Sequence, residues 1–475
     1  MIWGYPDEAS VLPGGRLVLR VSTDAPAFRV EFYRWGAEQV RVGGTGWFAG
    51  RAVPHHLPFQ DWSRPGTGLR GEDLPAWPAY EVPVPAGWTS GVYVGVLVEG
   101  EGGVEGEGDG DGPAGTGGAL LDRRDGTLLF VVRGAGAPLL YKVPLFTYHA
   151  YDQVDAAGFD PARGVDPGRG EGGWCLYTVP AARHLPVAVP PAVSLHRPGG
   201  GTGGTPWDHF NVDPFAPGLR QTFAHWDAPF VGWLERQGYE VDYCTDLDLH
   251  REGGALLAGR RLLVSAGHDE YWTAAMRDAV HGFVSAGGNV TFFGGNTCWW
   301  RLELDGDLAI SRTAFWSALG EPENTLTGVS FRNGGERDRD DHPVPVGFRV
   351  QHCDHWVFQG TGLRDGDGLG ARADEYVVGY ECDGAHFDRE PWSRGRPAQP
   401  TGEDGTPESF VVLGVGDLVP SGWGFGNRAA TLGLFTAPSG GTVFTAATTD
   451  WARVLAAGRS PAVEAVTANV LDRLG

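Results

Sequence analysis

Lysine is almost absent: Lys142 is the only one in 475 residues. Nearly all positive charge is therefore arginine, and schemes that need a lysine nucleophile have a single position to draw on. Cysteine is also scarce. Cys175, Cys244, Cys298, Cys353 and Cys382 are odd in number, scattered and without a CxxC pair, which argues against a disulfide framework and a thiolate zinc site. Basic charge is short overall, 37 residues against 59 acidic ones, for a net charge of −22 and a pI near 5.0. A surface that negative repels phosphate backbones, so nucleic acid is excluded as a partner. No run approaches 18 apolar residues, and the start "MIWGYPDEAS" has no basic stretch followed by an apolar one. These absences predict a soluble, cytoplasmic chain with no membrane partner. The GxSxG elbow, the Walker A loop and HExxH are missing too, which removes the defining residues of serine hydrolases, P-loop nucleotide binders and zincins.

What is present suits a large core, with 41% hydrophobic and 11% aromatic residues. The length predicts two domains, split near residue 135. Over 1–135, runs such as "GRLVLRVST", "FRVEFYRWG", "GVYVGVLVEG" and "GTLLFVVRG" alternate apolar and polar positions between Gly, Pro and Asp turns. That period-two pattern predicts an N-terminal antiparallel β-sandwich. The acidic, glycine-rich stretch 100–118 reads as a loop between two of its strands.

From about 136 the pattern predicts apolar strands interleaved with amphipathic helices, a doubly wound parallel α/β domain over 136–475. "RRLLVSAG", "TAAMRDAVHGFVSAGG" and "NVTFFGGN" form the clearest βαβ unit. Met276, Val280 and Phe283 fall on one helical face, Thr273 can cap the start and Gly287 can end the helix. "PFVGWLERQG" followed by "YEVDYC" reads as a preceding helix and strand, "SFVVLG" and "GTVFTAATTDW" as later strands, and "AVEAVTANVLDRL" as a closing helix with Val463, Val466 and Val470 inward.

Ligands of open parallel sheets bind beyond the carboxyl ends of the strands. "GHDE" follows one such end and "GGN" the next, so His268, Asp269, Glu270 and Asn296 should converge on one edge. The plainer reading is that Asp269 and Glu270 sit near the positive end of a helix and Asn296 turns the chain. Upstream, "LFTYHAYDQ" and "GGWCLYTVP" read in isolation as aromatic core strands.

Taken in order, "TYHAYDQ", "CLY", "WLERQGYEVDYCTDLDLH", "LVSAGHDEYW", "GGNTCWWR", "HWVFQGTGL" and "VGYECDG" resemble the large (beta) subunit family of N,N-dimethylformamidase. "GYPDEASVLPGGRLVLRVST" and "YRWG" resemble that family's leading β-sandwich, so the similarity covers most of the chain. The resemblance implies a glutamine-amidotransferase-like α/β domain and a mononuclear, non-haem ferric (Fe3+) site held by two tyrosinates and one glutamate. It assigns the carboxylate role to Glu270, one phenolate to Tyr177 and the other to a tyrosine of "TYHAY". Positions i and i+3 of an extended strand face opposite sides, so Tyr148 and Tyr151 should not both reach one metal, and of the two we take Tyr151.

Phenolate and carboxylate are hard donors suited to a hard ion, and three protein ligands leave room for water and an amide oxygen. His268 and Asn296 match positions beside the metal, His268 as a proton shuttle or water-orienting group and Asn296 as a donor to a developing oxyanion, with Glu381 of "VGYECDG" as a further acid or base. The family also uses a lysine near its site. This chain offers only Lys142, which puts formamide specificity in doubt, although Arg301 after "NTCWW" is a substitute charge. The implied activity is hydrolysis of a small amide by a homo-oligomer, with a separate small subunit as an accessory.

Two other readings stand beside it. One is a non-catalytic relative that binds carbohydrate or protein through the sandwich. The second, a cysteine-dependent amidotransferase-like hydrolase, needs a cysteine at the strand-to-helix turn, and "GHDE" has none. "QHCDHW" (352–356 with Gln351) is a weak metal box because adjacent strand residues alternate faces. "TDLDLH", with Asp246, Asp248 and His250, reads as a helix cap rather than an ion site.

Overall fold

The computed structural model describes residues 2–53, 77–101, 126–134, 136–151, 176, 192–196, 223–306, 309–336, 346–372, 375–418 and 426–475. Tyr177, Cys175 and most of the acidic stretch 100–118 lie outside the described residues.

Two sheets build the N-terminal region. Ile2–Pro6, Arg16–Thr23 and Ala79–Pro83 pair antiparallel in one. In the other, Ala27–Trp35, Gly91–Gly100 and Thr127–Val132 pair antiparallel, with Val40–Gly44 along one edge. Alternate residues explain the packing: Leu17, Leu19 and Val21 from the first sheet meet Phe28, Val30, Phe32 and Phe130 from the second in one buried cluster. The purely antiparallel expectation needs one correction. Ser10–Val11 joins Thr127–Val132 in parallel.

The second region is organised by a nine-stranded sheet. Its strands in chain order are β1 (Leu139–Val143), β2 (Val241–Thr245), β3 (Leu262–His268), β4 (Asn289–Gly295), β5 (Phe348–Val350), β6 (Gly368–Leu369), β7 (Val411–Asp417), β8 (Ala429–Thr436) and β9 (Thr442–Thr445). They lie in the order β2-β1-β3-β4-β9-β8-β7-β5-β6. From β2 to β9 neighbours run parallel, but from β9 onward every pair is antiparallel. The expected parallel sheet is thus half right. The link from β8 to β9 turns at Gly440, where Gly440 N donates to Ala437 O, and is far too short for the crossover a parallel pair requires.

Side-chain alternation assigns the faces of the parallel half. Tyr141 and Val264 point into a cluster with Phe230, Trp233, Val454 and Val466, whereas Leu140 and Leu263 point into one with Met276, Val280 and Leu249. Helices therefore cover both sides: α2 (Ala228–Arg236), α5 (Trp451–Ala457) and α6 (Pro461–Leu474) on the first, α3 (Asp246–Glu252) and α4 (Ala274–Ser285) on the second. Val463, Val466 and Val470 of α6 are fully buried as expected, worth roughly 1.5–3 kcal/mol each against exposure. On α4, Met276 and Val280 are inward, but Val284 rather than Phe283 completes the stripe, and Phe283 is half-buried. The whole is a multidomain β plus α/β architecture.

The two regions share an apolar cluster that includes Val92, Val94, Leu129 and Val131 of the first with Tyr141, Trp233 and Tyr243 of the second, and polar contacts join them as well. Arg34 donates through both terminal nitrogens to Glu235 at 2.8 Å each, and Tyr243 adds a third hydrogen bond to the same carboxylate. A forked arginine–carboxylate contact of this kind is directional as well as attractive.

One segment contradicts the expected secondary structure. Leu145–Tyr151 is a helix, α1, and not a strand. All seven of its residues are buried, so it has no polar face to betray helical periodicity, and its aromatic content imitates a strand.

Candidate active site

In the parallel pairing of β3 and β4, His268 lies opposite Gly295. His268 and Asn296 thus leave the sheet side by side, as the sequence predicted. Gly267, at φ +67°, makes the turn possible, since a Cβ there would approach Trp226 Cβ at 2.5 Å. Helix α4 does not start at once. Tyr271–Thr273 first pairs in parallel with Trp300–Leu302, and Thr273 caps α4 by accepting from Met276 N at 3.2 Å. Asp269 and Glu270 are consequently not helix caps. They turn inward, each about 1% exposed.

Glu270 meets α1. Tyr151 OH donates to Glu270 Oε2 at 2.7 Å, and one helical turn earlier Thr147 Oγ1 accepts from Glu270 N at 3.0 Å. Tyr148 serves another partner, donating to Asp227, which also accepts from Tyr141 OH at 2.6 Å. The strand argument for separating Tyr148 from Tyr151 fails, because the segment is helical. Tyr151 is nonetheless the one beside Glu270.

His268 Nε2 lies 2.7 Å from Glu381 Oε2 and 3.4 Å from Glu270 Oε2. Asn296 Nδ2 donates to Glu381 Oε2 at 3.3 Å. Four of the residues read from sequence, His268, Glu270, Asn296 and Glu381, therefore share one buried spot with Tyr151. The rings of Tyr151, Trp226 and Tyr380 stand 5.4, 6.0 and 6.4 Å from the imidazole.

Sequence reasoning missed Asp383. It lies two residues beyond Glu381 on the strand Glu381–Gly384 and accepts from Asn296 N at 3.0 Å and Thr297 N at 3.1 Å. Asn296 has φ +50°, an unusual value for a non-glycine residue, and this carboxylate grips its backbone there. The acidic pair in "ECDG" was the available signal. Missed as well was the partnership of Lys142, whose ammonium lies 2.5 Å from Asp246 and 2.8 Å from Asp269, all three with side chains no more than 1% exposed. A lone lysine inside the apolar run "LLYKV" could have announced it.

The electrostatics are unusual. Asp227, Asp246, Asp269, Glu270, Glu381 and Asp383 are all buried around this edge with Lys142. Burial and the neighbouring Asp269 charge push the Asp246 carboxyl up to about 7 despite Lys142. Burial alone would depress the lysine, but Asp246 and Asp269 more than offset it and hold it above its ordinary value. Burial likewise raises Asp383, against the pull of the Thr297 and Asn296 amides.

Asp227 is raised well above its ordinary 3.8 by burial, opposed by the Tyr141 hydrogen bond. The folded chain then holds a proton that the unfolded chain releases near pH 4, so this group's contribution to stability falls as pH rises above that point. Asp227→Asn should cost no more than about 1 kcal/mol and flatten the decline in urea-melt stability above pH 4.

The hydroxyl of Tyr151 and the carboxyl of Glu270, 2.7 Å apart, are hard oxygen donors of the type that the implied ferric ion takes. Among the described residues no three His, Cys, Asp or Glu side chains form a metal-holding group. Ligation here would depend on tyrosine, and Tyr177 lies outside the described residues. Its described neighbour Leu176 donates to Ala150 O of α1 at 2.8 Å.

Other sequence candidates lie elsewhere. Arg301 is turned to Glu303 at 3.4 Å with its guanidinium 5.8 Å from the Trp316 ring, away from the cluster. In "TDLDLH" the cap is Thr245, with Asp248 closing a capping box, while Asp246 goes to Lys142. His355 accepts from Val357 N as a cap. Among the described residues no disulfide joins Cys244, Cys298, Cys353 and Cys382, and Cys382 Sγ donates to Gly379 O at 3.4 Å. No helix among the described residues is long and apolar enough to cross a membrane.

Fold and site together define an α/β protein with a buried phenol–carboxylate–imidazole cluster at the carboxyl edge of its parallel strands and a separate β region in front. The family model "N,N-dimethylformamidase beta subunit-like, C-terminal" matches residues 28–465, and the chain belongs to that family. The N,N-dimethylformamidase beta subunit of Alcaligenes sp is 31% identical over 93 residues, 18% of this chain and 12% of that protein. That of Paracoccus aminophilus is 28% identical over 142 residues, 26% and 18% respectively. The matched stretches thus span under a fifth of those relatives. Among solved structures, the mmIFT52 N-terminal domain aligns at a TM-score of 0.29 and 12% identity, over 50% of this chain and 86% of that one.

Proposed function

We propose that the chain is a cytoplasmic amidohydrolase that cleaves a small, formamide-like C–N bond with the help of one ferric ion, on an amidotransferase-like wound domain. The observation that carries this reading is the 2.7 Å contact between Tyr151 and Glu270 beside His268 and Asn296. Tyr151, Glu270 and Tyr177 would hold the ion. Bound there, iron supplies a Lewis acid that polarises an amide carbonyl or lowers the pKa of water. His268 Nε2 stands 2.7 Å from Glu381 Oε2 and 3.4 Å from Glu270 Oε2, where an imidazole could take a proton from water and deliver it to a leaving amine. Asn296 offers its side-chain amide to a developing oxyanion, and Glu381 orients both. The substrate is a small amide, and the assembly is a homo-oligomer with a small subunit as an accessory.

A second reading, a non-catalytic relative that binds carbohydrate or protein, is favoured by the closure of the cluster. His268 is 0% and Glu270 1% exposed.

Metal analysis and a visible spectrum of freshly purified aerobic protein separate the two. The hydrolase reading expects stoichiometric iron and a broad tyrosinate-to-iron band, both lost in Tyr177→Phe, with turnover of small formamides. A colourless protein, metal-free after reconstitution with iron, would support the binding module.

A further inference from the structure

Tyr151 and Glu270 are 119 residues apart in sequence, so their contact depends on how α1 is set against the turn after β3. A closed ring of buried contacts sets it. Lys142 at the end of β1 binds Asp246 at 2.5 Å. Asp246 accepts from Phe146 N in the first turn of α1 at 2.9 Å. The next residue, Thr147, accepts from Glu270 N at 3.0 Å. Beside Glu270, Asp269 returns to Lys142 at 2.8 Å and is steadied by Ser265 Oγ at 2.6 Å. Lys142, Thr147 and Asp246 are 0% exposed and Asp269 and Glu270 1%, so water does not compete for these bonds.

We infer that Thr147 is a positioning residue: through the Glu270 backbone it fixes the carboxylate at the tip of Tyr151. Thr147 and Tyr151 are one turn apart on the same helical face, and together they hold the main chain and the side chain of one residue. Among the described residues the hydroxyl makes no hydrogen bond to Glu270 Oε2 or to the imidazole, so it acts through the Glu270 amide. In its assignment of a metal to that pair the inference rests on the proposed hydrolase reading, but the amide contact does not.

The test compares Thr147→Val, which keeps the shape and removes the acceptor, with Thr147→Ser, which keeps the hydroxyl. Two readouts are taken on the full chain: competition for added ferric ion against a chelator, and hydrogen exchange at the Glu270 amide. Thr147→Val is expected to weaken ferric binding at least tenfold and to speed exchange at Glu270. Thr147→Ser should stay within about twofold of the parent in both. Parent-like ferric binding and exchange in Thr147→Val would overturn the inference, as would equal losses in the Ser and Val variants. If the parent itself binds no ferric ion, the hydrolase reading fails, and the exchange comparison alone decides for or against Thr147.

Discussion

Glu270→Gln is expected to leave the chain folded while removing ferric-ion binding and lowering amide turnover by roughly 10³-fold or more. Glutamine fills the same space, and its carbonyl can still accept from Tyr151, whose oxygen lies 2.7 Å from the present carboxylate. The Thr147 contact is made to the backbone and survives the change. The cost in stability should therefore stay near the ~1 kcal/mol of one hydrogen bond. Removing a buried negative charge from a neighbourhood that also holds Asp269 and Glu381 works in the stabilising direction. What glutamine lacks is the charge and basicity of a hard anionic donor. Metal content, the visible band and a urea melt on one preparation give the answer. A Glu270→Gln protein that keeps its iron would dismiss Glu270 as a ligand, and one that unfolds would make it structural. Glu270→Ala should lose metal and activity in the same way, but with a larger loss of stability because Tyr151 is left without its carboxylate.

The parts of this site that were legible in the sequence are those with a local signature. The apolar runs of β3 and β4 end abruptly at polar residues, and their parallel register brings His268 and Asn296 together as the pattern required. Helix α4 carried its cap and its apolar stripe in plain view. Other parts were hidden because their cause is tertiary. α1 is enclosed on every side, so its sequence has no polar period to read. The antiparallel half of the sheet depends on the short turn between β8 and β9, and that turn's meaning depends on which strands it joins. Asp383 acts on backbone amides 86 and 87 residues away. No local pattern encodes such a distance.

Lys142→Met should be the most destabilising single change at this edge of the sheet. The ammonium is fully buried between Asp246 and Asp269 and also lies 4.9 Å from the Trp272 ring. Removing it leaves two carboxylates facing each other in a dry interior, a loss of about 3–5 kcal/mol for a broken buried pair. For a chain of this length that corresponds to a fall in melting temperature of roughly 3–7 °C. The loss should come from the stranded acids and not from the missing aliphatic stem, because methionine replaces most of it. Lys142→Met/Asp246→Asn/Asp269→Asn should therefore regain a large part of the stability, since neutral amides need no counter-charge. Asp246→Asn alone leaves Lys142 paired with Asp269 and should cost far less than Lys142→Met. Chemical denaturation of the parent, Lys142→Met, Asp246→Asn and the double variant Lys142→Met/Asp246→Asn forms a cycle in which Lys142 and Asp246 couple by about 1–3 kcal/mol. A Lys142→Met protein within about 1 kcal/mol of the parent would mean the acids take up protons cheaply in the fold, and the ring that links α1 to Glu270 would then need no lysine.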